Sequence, residues 1–343
     1  MEMKNPMIQH AYMMDKAEYK AAYHSGTDFS DWQKAARTKL GELLGMDTFE
    51  KCPDELEIEW MNEELEYTEF RISFNTEKNY RTCAHLLIPA GVEMPVPAMI
   101  CLQGHSKGMH ISLGRPIFDG DEKSISGGDR DFAVQVIKYG YAAFVLEQRA
   151  FGECGGDETG PKCVQPAMSA LLLGRTLIGE RVWDVSRSID VMEKHFPMID
   201  TSRIAVMGNS GGGTTAIYAA AMDERLAAAM PSCAFCGYKE SIGMLHHCTC
   251  NYVPGVMRWF DMGDIAGLIA PRPLVIVNGR EDDIFPVDSA RKQYAITNSI
   301  YEAAGAGDKC IHVIGPQGHR FYAALGWPAF NGLTGWKKCH HDH

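Results

Sequence analysis

Long apolar runs are missing from this sequence. No stretch approaches the roughly 20 apolar residues of a membrane-spanning helix, and the opening MEMKNPMIQHAYMMDKAEYK has charges where a signal peptide needs an apolar core. Positive charge is also scarce, because 33 Lys and Arg residues stand against 44 Asp and Glu residues and leave a net charge of −11. Nucleic acids and anionic membrane surfaces attract basic patches, so we expect neither as a partner.

Internal repeats and low-complexity tracts are missing as well, and 45% hydrophobic with 22% charged residues is ordinary for a folded protein. The 11 cysteines come without a secretion signal, which favours reduced thiols and a cytoplasmic location. The length of 343 residues slightly exceeds the roughly 250–300 at which single cores stop growing. One large domain with a terminal extension fits this length, and so do two small domains.

Secondary-structure signals divide the chain near residue 56. SDWQKAARTKLGELLG has apolar residues at helical spacing and ends in glycine, so it predicts a helix. Antiparallel strands are predicted for three segments in which apolar residues alternate with polar ones or form a short apolar run: ELEIEW, EYTEFRISFN and RTCAHLLIPA. Beyond Pro97, short apolar segments such as RIAVMG and PRPLVIVNG alternate with amphipathic helices, which predicts an α/β fold with a mostly parallel, doubly wound sheet.

Two stretches match G-x-S-x-G, one around Ser106 and one around Ser210. A nucleophile elbow needs a buried strand before the serine and a helix after it, with small flanking residues. Ser210 has RIAVM before it and GGGTTAIYAAAM after it, whereas Ser106 is followed by Lys107 and a segment broken by Gly and Pro. We therefore predict Ser210 as the nucleophile.

The stretch around Ser106 fits a second role in the same kind of enzyme. The oxyanion of a serine hydrolase is bound by the amide after the nucleophile and by an amide from the loop after an earlier strand. Gly211 supplies the first, and the loop CLQGHSKG would supply the second through the amide of His105. The alternative is that this loop is only a glycine-rich connection.

Acid and histidine candidates follow the serine in the order that such hydrolases use. VIVNGREDDIFP places acids after a buried strand, and HVIGPQGHRF places His319 after the next strand. Asp282 and Asp283 are both candidates for the acid. His319 would act as a base toward Ser210, and the carboxylate would hold its tautomer.

These motifs resemble α/β-hydrolases of the dienelactone-hydrolase-like group, close to acetyl xylan esterases and cephalosporin C deacetylase-like esterases. The resemblance spans roughly residues 56–325, and it is carried by LQGHSKG, EQRAFGECGG, MIDTSRIAVMGNSGGG, APRPLVIVNGREDDIFP and GHRF. It implies an α/β-hydrolase fold with a triad and oxyanion hole formed by the five residues Ser210, Asp282, His319, His105 and Gly211. In similar proteins the acid is the third residue after the glycine that ends the strand, which here is Asp282, and Asp283 is the fallback. We predict a helical extension over residues 1–55 and a catalytic domain over 56–343. The sequence departs from the family in two ways. Dienelactone hydrolase uses a cysteine nucleophile, whereas this chain has Ser210, and Cys154 occupies a position where related chains often have serine.

A cysteine-rich run, PSCAFCGYKESIGMLHHCTC, raises the question of a metal site. Its candidate ligands are Cys233, Cys236, His246, His247, Cys248 and Cys250. Cys233 ends a predicted core strand, and only one residue separates the last two cysteines, where structural zinc sites usually have two to four. We therefore expect no metal, and read the run as an insertion beside the active-site mouth.

The sequence thus predicts a serine carboxylic ester hydrolase for short acyl chains, acetyl foremost, with carbohydrate esters as one candidate substrate. His247, Tyr252, Trp259 and Phe260 of the insertion are the predicted pocket residues; alternatively, the aromatics pack as a local core. An amide or peptide hydrolase of the prolyl-peptidase type stays open, as does a non-catalytic zinc-binding module. No cofactor is expected, since serine chemistry supplies its own nucleophile. A small-molecule ester is the expected partner, and homo-oligomerisation is left open.

Overall fold

One mixed sheet organises the chain. The structure is a computed structural model that describes residues 5–336, and within these residues nine strands pair in the order β1-β2-β3-β5-β4-β6-β7-β8-β9. Pairing is antiparallel from β1 through β3 to β5 and parallel from β5 to β9. The strands are β1 (Glu57–Glu63), β2 (Tyr67–Glu77), β3 (Tyr80–Pro89), β4 (Val96–Leu102), β5 (Ala142–Leu146), β6 (Ile199–Asn209), β7 (Leu226–Ser232), β8 (Leu274–Gly279) and β9 (Cys310–Gly315).

Helices cover both faces of this sheet, which confirms the predicted doubly wound fold. They are α1 (Pro6–Asp15), α2 (Phe29–Leu44), α3 (Asp121–Ser126), α4 (Phe132–Lys138), α5 (Val164–Leu172), α6 (Leu177–His195), α7 (Gly211–Met222), α8 (Met262–Gly267), α9 (Val287–Ala303) and α10 (Ala323–Thr334). No helix in the described part of the chain is long and apolar enough to cross a membrane.

The two-residue period of the central strands divides the core into two layers. Along β4, Ile100 and Leu102 point into a layer shared with α2, α6, α7, α8 and α9. Met99 and Cys101 point into the opposite layer, where they meet side chains of α4 and α10. All four are fully buried, which explains why the sequence of β4 is a continuous apolar run and not an alternation of apolar and polar residues.

The predicted helix near the amino terminus is α2, and its apolar face belongs to the main core. Trp32, Ala36, Leu40 and Leu44 recur every four residues, are buried, and pack into the same cluster as α6 and α7. The indole nitrogen of Trp32 donates to the carbonyl of Ala21 at 2.9 Å, which ties the preceding segment to the helix.

Several helices were not predicted from the sequence, namely α1, α3, α5, α8 and α10. The last of these contains Pro328 and two glycines, which lower intrinsic helix propensity. Trp327 and Phe330 of α10 are nevertheless buried against the sheet. Tertiary packing therefore overrides local propensity at this end of the fold.

The burial of α2 predicts that this helix unfolds together with the sheet. Leu40→Ala should lower the free energy of unfolding by about 2–5 kcal/mol, because Leu40 is fully buried in the main core. Urea unfolding followed by far-UV circular dichroism measures this, with the exposed Lys34→Ala as the control, expected within about 0.5 kcal/mol of wild type. An unchanged midpoint for Leu40→Ala would mean that α2 is not part of the cooperative core.

Candidate active site

Ser210 lies in a sharp turn between a buried strand and a buried helix. β6 ends at Asn209 and α7 begins at Gly211, so that Ser210 alone makes the reversal. Its backbone has φ 55° and ψ −121°, a conformation that costs a residue with a side chain roughly 1–3 kcal/mol. The Ser210 amide donates to the carbonyl of Ser232 at 2.8 Å, which anchors the turn to β7. This is the geometry of a nucleophile elbow.

The loop after β4 packs directly on this elbow. A Cβ atom on Gly104 would lie 2.8 Å from the Asn209 carbonyl oxygen and 3.1 Å from Ser210 Cβ, so no side chain fits there. A Cβ atom on Gly211 would lie 2.6 Å from His105 Cε1, which places the His105 ring against the first residue of α7. Gly104 is therefore required by close approach to the backbone, and Gly211 leaves room for the His105 ring.

Two backbone amides beside Ser210 are left without a protein acceptor. Across residues 5–336, neither the amide of His105 nor that of Gly211 donates to another group of the chain. Unpaired amides at a helix N-terminus and an adjoining loop are the donors that an oxyanion needs. Their roles in an oxyanion hole remain a prediction.

Ser106 has a different setting. It is followed by a single 3-10 turn, Met109–Ile111, rather than by a helix, and its hydroxyl donates to the Gly108 carbonyl at 3.5 Å. Its neighbour Lys107 reaches away to Asp121 at 3.4 Å. Ser106 therefore sits in a loop, not in an elbow.

Asp282 and His319 form a hydrogen-bonded pair at the ends of β8 and β9. His319 Nδ1 donates to Asp282 Oδ2 at 2.8 Å, while Asp282 Oδ1 accepts from the amides of Ile284 and Phe285 at 2.9 and 3.0 Å. Burial by itself would raise the pKa of Asp282, but the His319 contact and these two amides hold it below its usual value. Asp283, the fallback, is exposed.

Ser232 connects the two halves of the site. Its carbonyl accepts from Ser210, and its hydroxyl lies 3.5 Å from the carbonyl of Arg320, the residue after His319. The Ser210 hydroxyl has no hydrogen-bond partner among the residues that the structure describes. A serine–histidine hydrogen bond is often long in an unliganded enzyme and shortens with substrate.

The four predicted pocket residues separate into two groups. His247 donates to the Ser241 hydroxyl at 2.9 Å and stacks edge-on against Phe285, which in turn stacks on His319 at 5.9 Å between ring centroids. Burial, with the nearby His105 and His319, lowers the pKa of His247. His247 therefore adjoins the Asp282–His319 pair through one aromatic ring.

The other three predicted pocket residues, which lie further along the insertion, have different surroundings. Tyr252 is 44% exposed and lines a cavity of about 840 Å³ between α1 and the insertion. Phe260 is fully buried in the main core, and Trp259 packs against that core with the Lys39 ammonium 4.5 Å above its ring. For Trp259 and Phe260, these contacts favour the alternative of a local core under the loop.

Sequence reasoning missed the polar network beneath the loop after β4. Buried Glu147, at the end of β5, accepts from the side chain of Gln103 and from the amide of Met109 at 3.1 Å. Gln148 donates to the Gln103 carbonyl at 2.7 Å and accepts from Thr215 of α7 at 2.8 Å. The signal was the polar EQR triplet at the end of an apolar strand. These side chains fix the loop against α7.

Comparison with known proteins decides the family. A family model, described as the abhydrolase family, matches residues 6–304. The chain belongs to this family. This abhydrolase is 26% identical over 308 residues to "Putative hydrolase YtaP" of Bacillus subtilis (strain 168), covering 88% of this chain and 98% of that protein.

Solved structures agree on the fold. A structure described as a "putative acetyl xylan esterase" from Bacteroides fragilis superposes with a TM-score of 0.77 at 19% identity, covering 95% of this chain and 84% of that one. A glucuronoyl esterase from Solibacter usitatus superposes with a TM-score of 0.69 at 18% identity, covering 93% and 97%. The resemblance found in the sequence is confirmed at the level of family and fold.

The two adjacent acids provide a matched test of the acid. Asp282→Asn should lower kcat for p-nitrophenyl acetate by on the order of 10⁴-fold, because the imidazole loses its orienting carboxylate. Asp283→Asn should stay within about threefold of wild type, since this side chain is exposed. Equal losses in steady-state assays of both variants would show that the turn itself, rather than one carboxylate, matters.

Because Glu147 is buried, we expect the free energy of unfolding to depend on pH through its carboxyl group. Burial raises the pKa of its carboxyl from 4.5 to about 8, so between these values the folded chain holds a proton that the unfolded chain releases. Stability from this group is full below about pH 4.5 and falls as pH rises toward about 8.

Glu147→Gln stays neutral and should remove that dependence. The difference in free energy of unfolding, wild type minus variant, should decrease when urea titrations are repeated from about pH 5 to about pH 8. The exposed Glu158→Gln is the control and should show no such trend. A pH-independent difference for Glu147→Gln would contradict the prediction.

Proposed function

We propose that this abhydrolase is a serine carboxylic ester hydrolase that works through an acyl-enzyme. The observation that carries the proposal is the strained turn at Ser210, combined with the hydrogen-bonded Asp282–His319 pair on the neighbouring strands. Backbone strain at a residue lowers the stability of the fold, and strained residues are found mainly at active sites. A strained serine between a strand and a helix therefore supports a role as nucleophile.

The chemistry would follow from these groups. His319 takes the proton of the Ser210 hydroxyl as the Ser210 oxygen attacks the ester carbonyl carbon, and the amides of His105 and Gly211 bind the oxyanion that forms. Collapse of this intermediate breaks the bond to the alcohol, which leaves with the proton from His319. A water molecule, activated by the same histidine, then releases the acid and restores Ser210.

Short acyl esters, acetyl foremost, are the proposed substrates. The similar structures are described as acetyl xylan and glucuronoyl esterases, which supports an ester with a carbohydrate part. His247 and Phe285 beside His319 would narrow the acyl side, and the partly exposed Tyr252 would offer a flat aromatic face to a sugar-like alcohol.

The two serines provide the direct test of the nucleophile. Ser210→Ala should lose at least about 10³-fold in kcat for p-nitrophenyl acetate, since nucleophile and base act as a unit. Ser106→Ala, in the other G-x-S-x-G match, should stay within about tenfold. Inactivation by Ser106→Ala with survival of Ser210→Ala would invert the assignment.

Substrate class is tested by a panel of acyl esters and anilides. Acetyl esters should exceed butyryl esters by about tenfold or more in kcat/KM, because each misfitting methylene costs about 1–3 kcal/mol. A preference for octanoyl esters would exclude a small acyl pocket. Preferential cleavage of anilides would support an amide hydrolase instead.

The alcohol side is tested by Tyr252→Ala. This variant should raise KM for an acetylated xylo-oligosaccharide several-fold while leaving kcat/KM for p-nitrophenyl acetate near wild type. Tyr12→Ala is the matched control, since Tyr12 of α1 is exposed and does not line the cavity. An equal effect of Tyr252→Ala on both esters would remove Tyr252 from the proposed alcohol site.

A further inference from the structure

Four potential metal ligands from distant parts of the chain converge beside the elbow. One ligand atom from each of His105, Cys163, Cys248 and Cys250 lies within 4.8 Å of all the others, and His105 Nε2 is 3.1 Å from Cys250 Sγ. We propose that these four residues bind one structural Zn²⁺ ion. The proposal stands on this geometry and does not depend on the esterase assignment.

The donor set suits zinc. Three thiolates and one imidazole form a Cys₃His site, and four protein ligands close the tetrahedron that structural zinc prefers. Zn–S bonds of about 2.3 Å place two sulfur ligands about 3.8 Å apart in a tetrahedron, which lies within the observed spacing. With no position left for water, such an ion would be structural rather than catalytic.

The four ligands come from three elements of the fold. His105 follows β4, and its ring lies on Gly211 and 5.3 Å from the Phe151 ring. Cys163 is buried and is the residue before α5. Cys250 is buried in the 3-10 turn Thr249–Asn251, and Cys248 precedes that turn. The fold thus brings the four ligands together without a local sequence motif.

A buried cation beside the cluster provides independent support. Arg181 is 1% exposed, and its Nη2 lies 3.3 Å from Cys163 Sγ. No carboxylate within residues 5–336 forms an ion pair with Arg181, and its Nη1 lacks a hydrogen-bond partner. A buried charge needs a counter-charge. Three thiolates around Zn²⁺ carry a net charge of −1, which this guanidinium would balance.

The candidate ligands of the cysteine-rich run lie in different places in the fold. Cys233 lies against Asp282 and His319, Cys236 is buried in the main core, and His247 is bonded to Ser241. Only Cys248 and Cys250 of the run belong to the cluster. The other two ligands lie far earlier in the sequence: Cys163 precedes Cys248 by 85 positions and His105 precedes it by 143 (248 − 163 = 85; 248 − 105 = 143). The expectation of no metal considered only ligands from within the run.

The ion would also position a proposed oxyanion donor. Binding through His105 ties the loop after β4 to the insertion and to α5, and this consequence, unlike the site itself, rests on the proposed function. Loss of the metal should then lower kcat more than it changes KM, because the amide of His105 acts on the transition state.

The experiment measures metal content of the full chain, produced without a polyhistidine tag and purified without chelators. Inductively coupled plasma mass spectrometry should find about one zinc per chain. Cys163→Ser and Cys250→Ser should lose most of it, while Cys236→Ser and Cys310→Ser, two buried cysteines outside the cluster, should retain it. Ser210→Ala should also retain it, which separates a failure of this site from a failure of the esterase proposal.

Wild-type protein supplies a readout that does not require folded variants. Exchange of Zn²⁺ for Co²⁺ should give the visible absorption of tetrahedral cobalt with thiolate charge-transfer bands. Reduced wild-type protein that takes up neither Zn²⁺ nor Co²⁺ would overturn the proposal. So would equal metal content in Cys250→Ser and Cys236→Ser, or a disulfide between two cluster cysteines in the freshly purified protein.

Discussion

The backbone conformation of Ser210 is the constraint on which the rest of the site depends. A positive φ at a residue with a side chain is held only when its surroundings determine it from several sides. β6 and α7 bracket the turn, Ser232 anchors its amide, and Gly104 allows the loop after β4 to approach within contact distance. The same approach leaves the amide of His105 beside the serine.

The loop after β4 is fixed on two sides. Beneath it, buried Glu147 accepts from the Gln103 side-chain nitrogen, and buried Gln148 donates to the Gln103 carbonyl. Above it, the His105 ring lies on Gly211, and its Nε2 meets Cys250. If the His105 amide binds the oxyanion as proposed, this support would hold it in place, because oxyanion stabilisation depends on preorganised donors. The insertion after β7 thus contributes to the site through Cys250 and His247.

Local patterns in the sequence were sufficient for the central sheet, the elbow and the order of Ser210, Asp282 and His319. Each of these depends on a strand followed by a turn or helix with its own composition. Helix α10 could not be predicted, since its glycines and Pro328 argue against a helix until Trp327 meets the sheet. The proximity of His105 and Cys163 to Cys250 could not be predicted either, because contacts between distant segments produce no periodic pattern in the sequence.

The measurement that tests the central claim most directly is covalent labelling with a fluorophosphonate, followed by peptide mapping with mass spectrometry. The account predicts one adduct per chain on Ser210, formed in the folded protein and absent after heat denaturation. An adduct on Ser106, or ester hydrolysis by a protein whose Ser210 stays unlabelled, would contradict it.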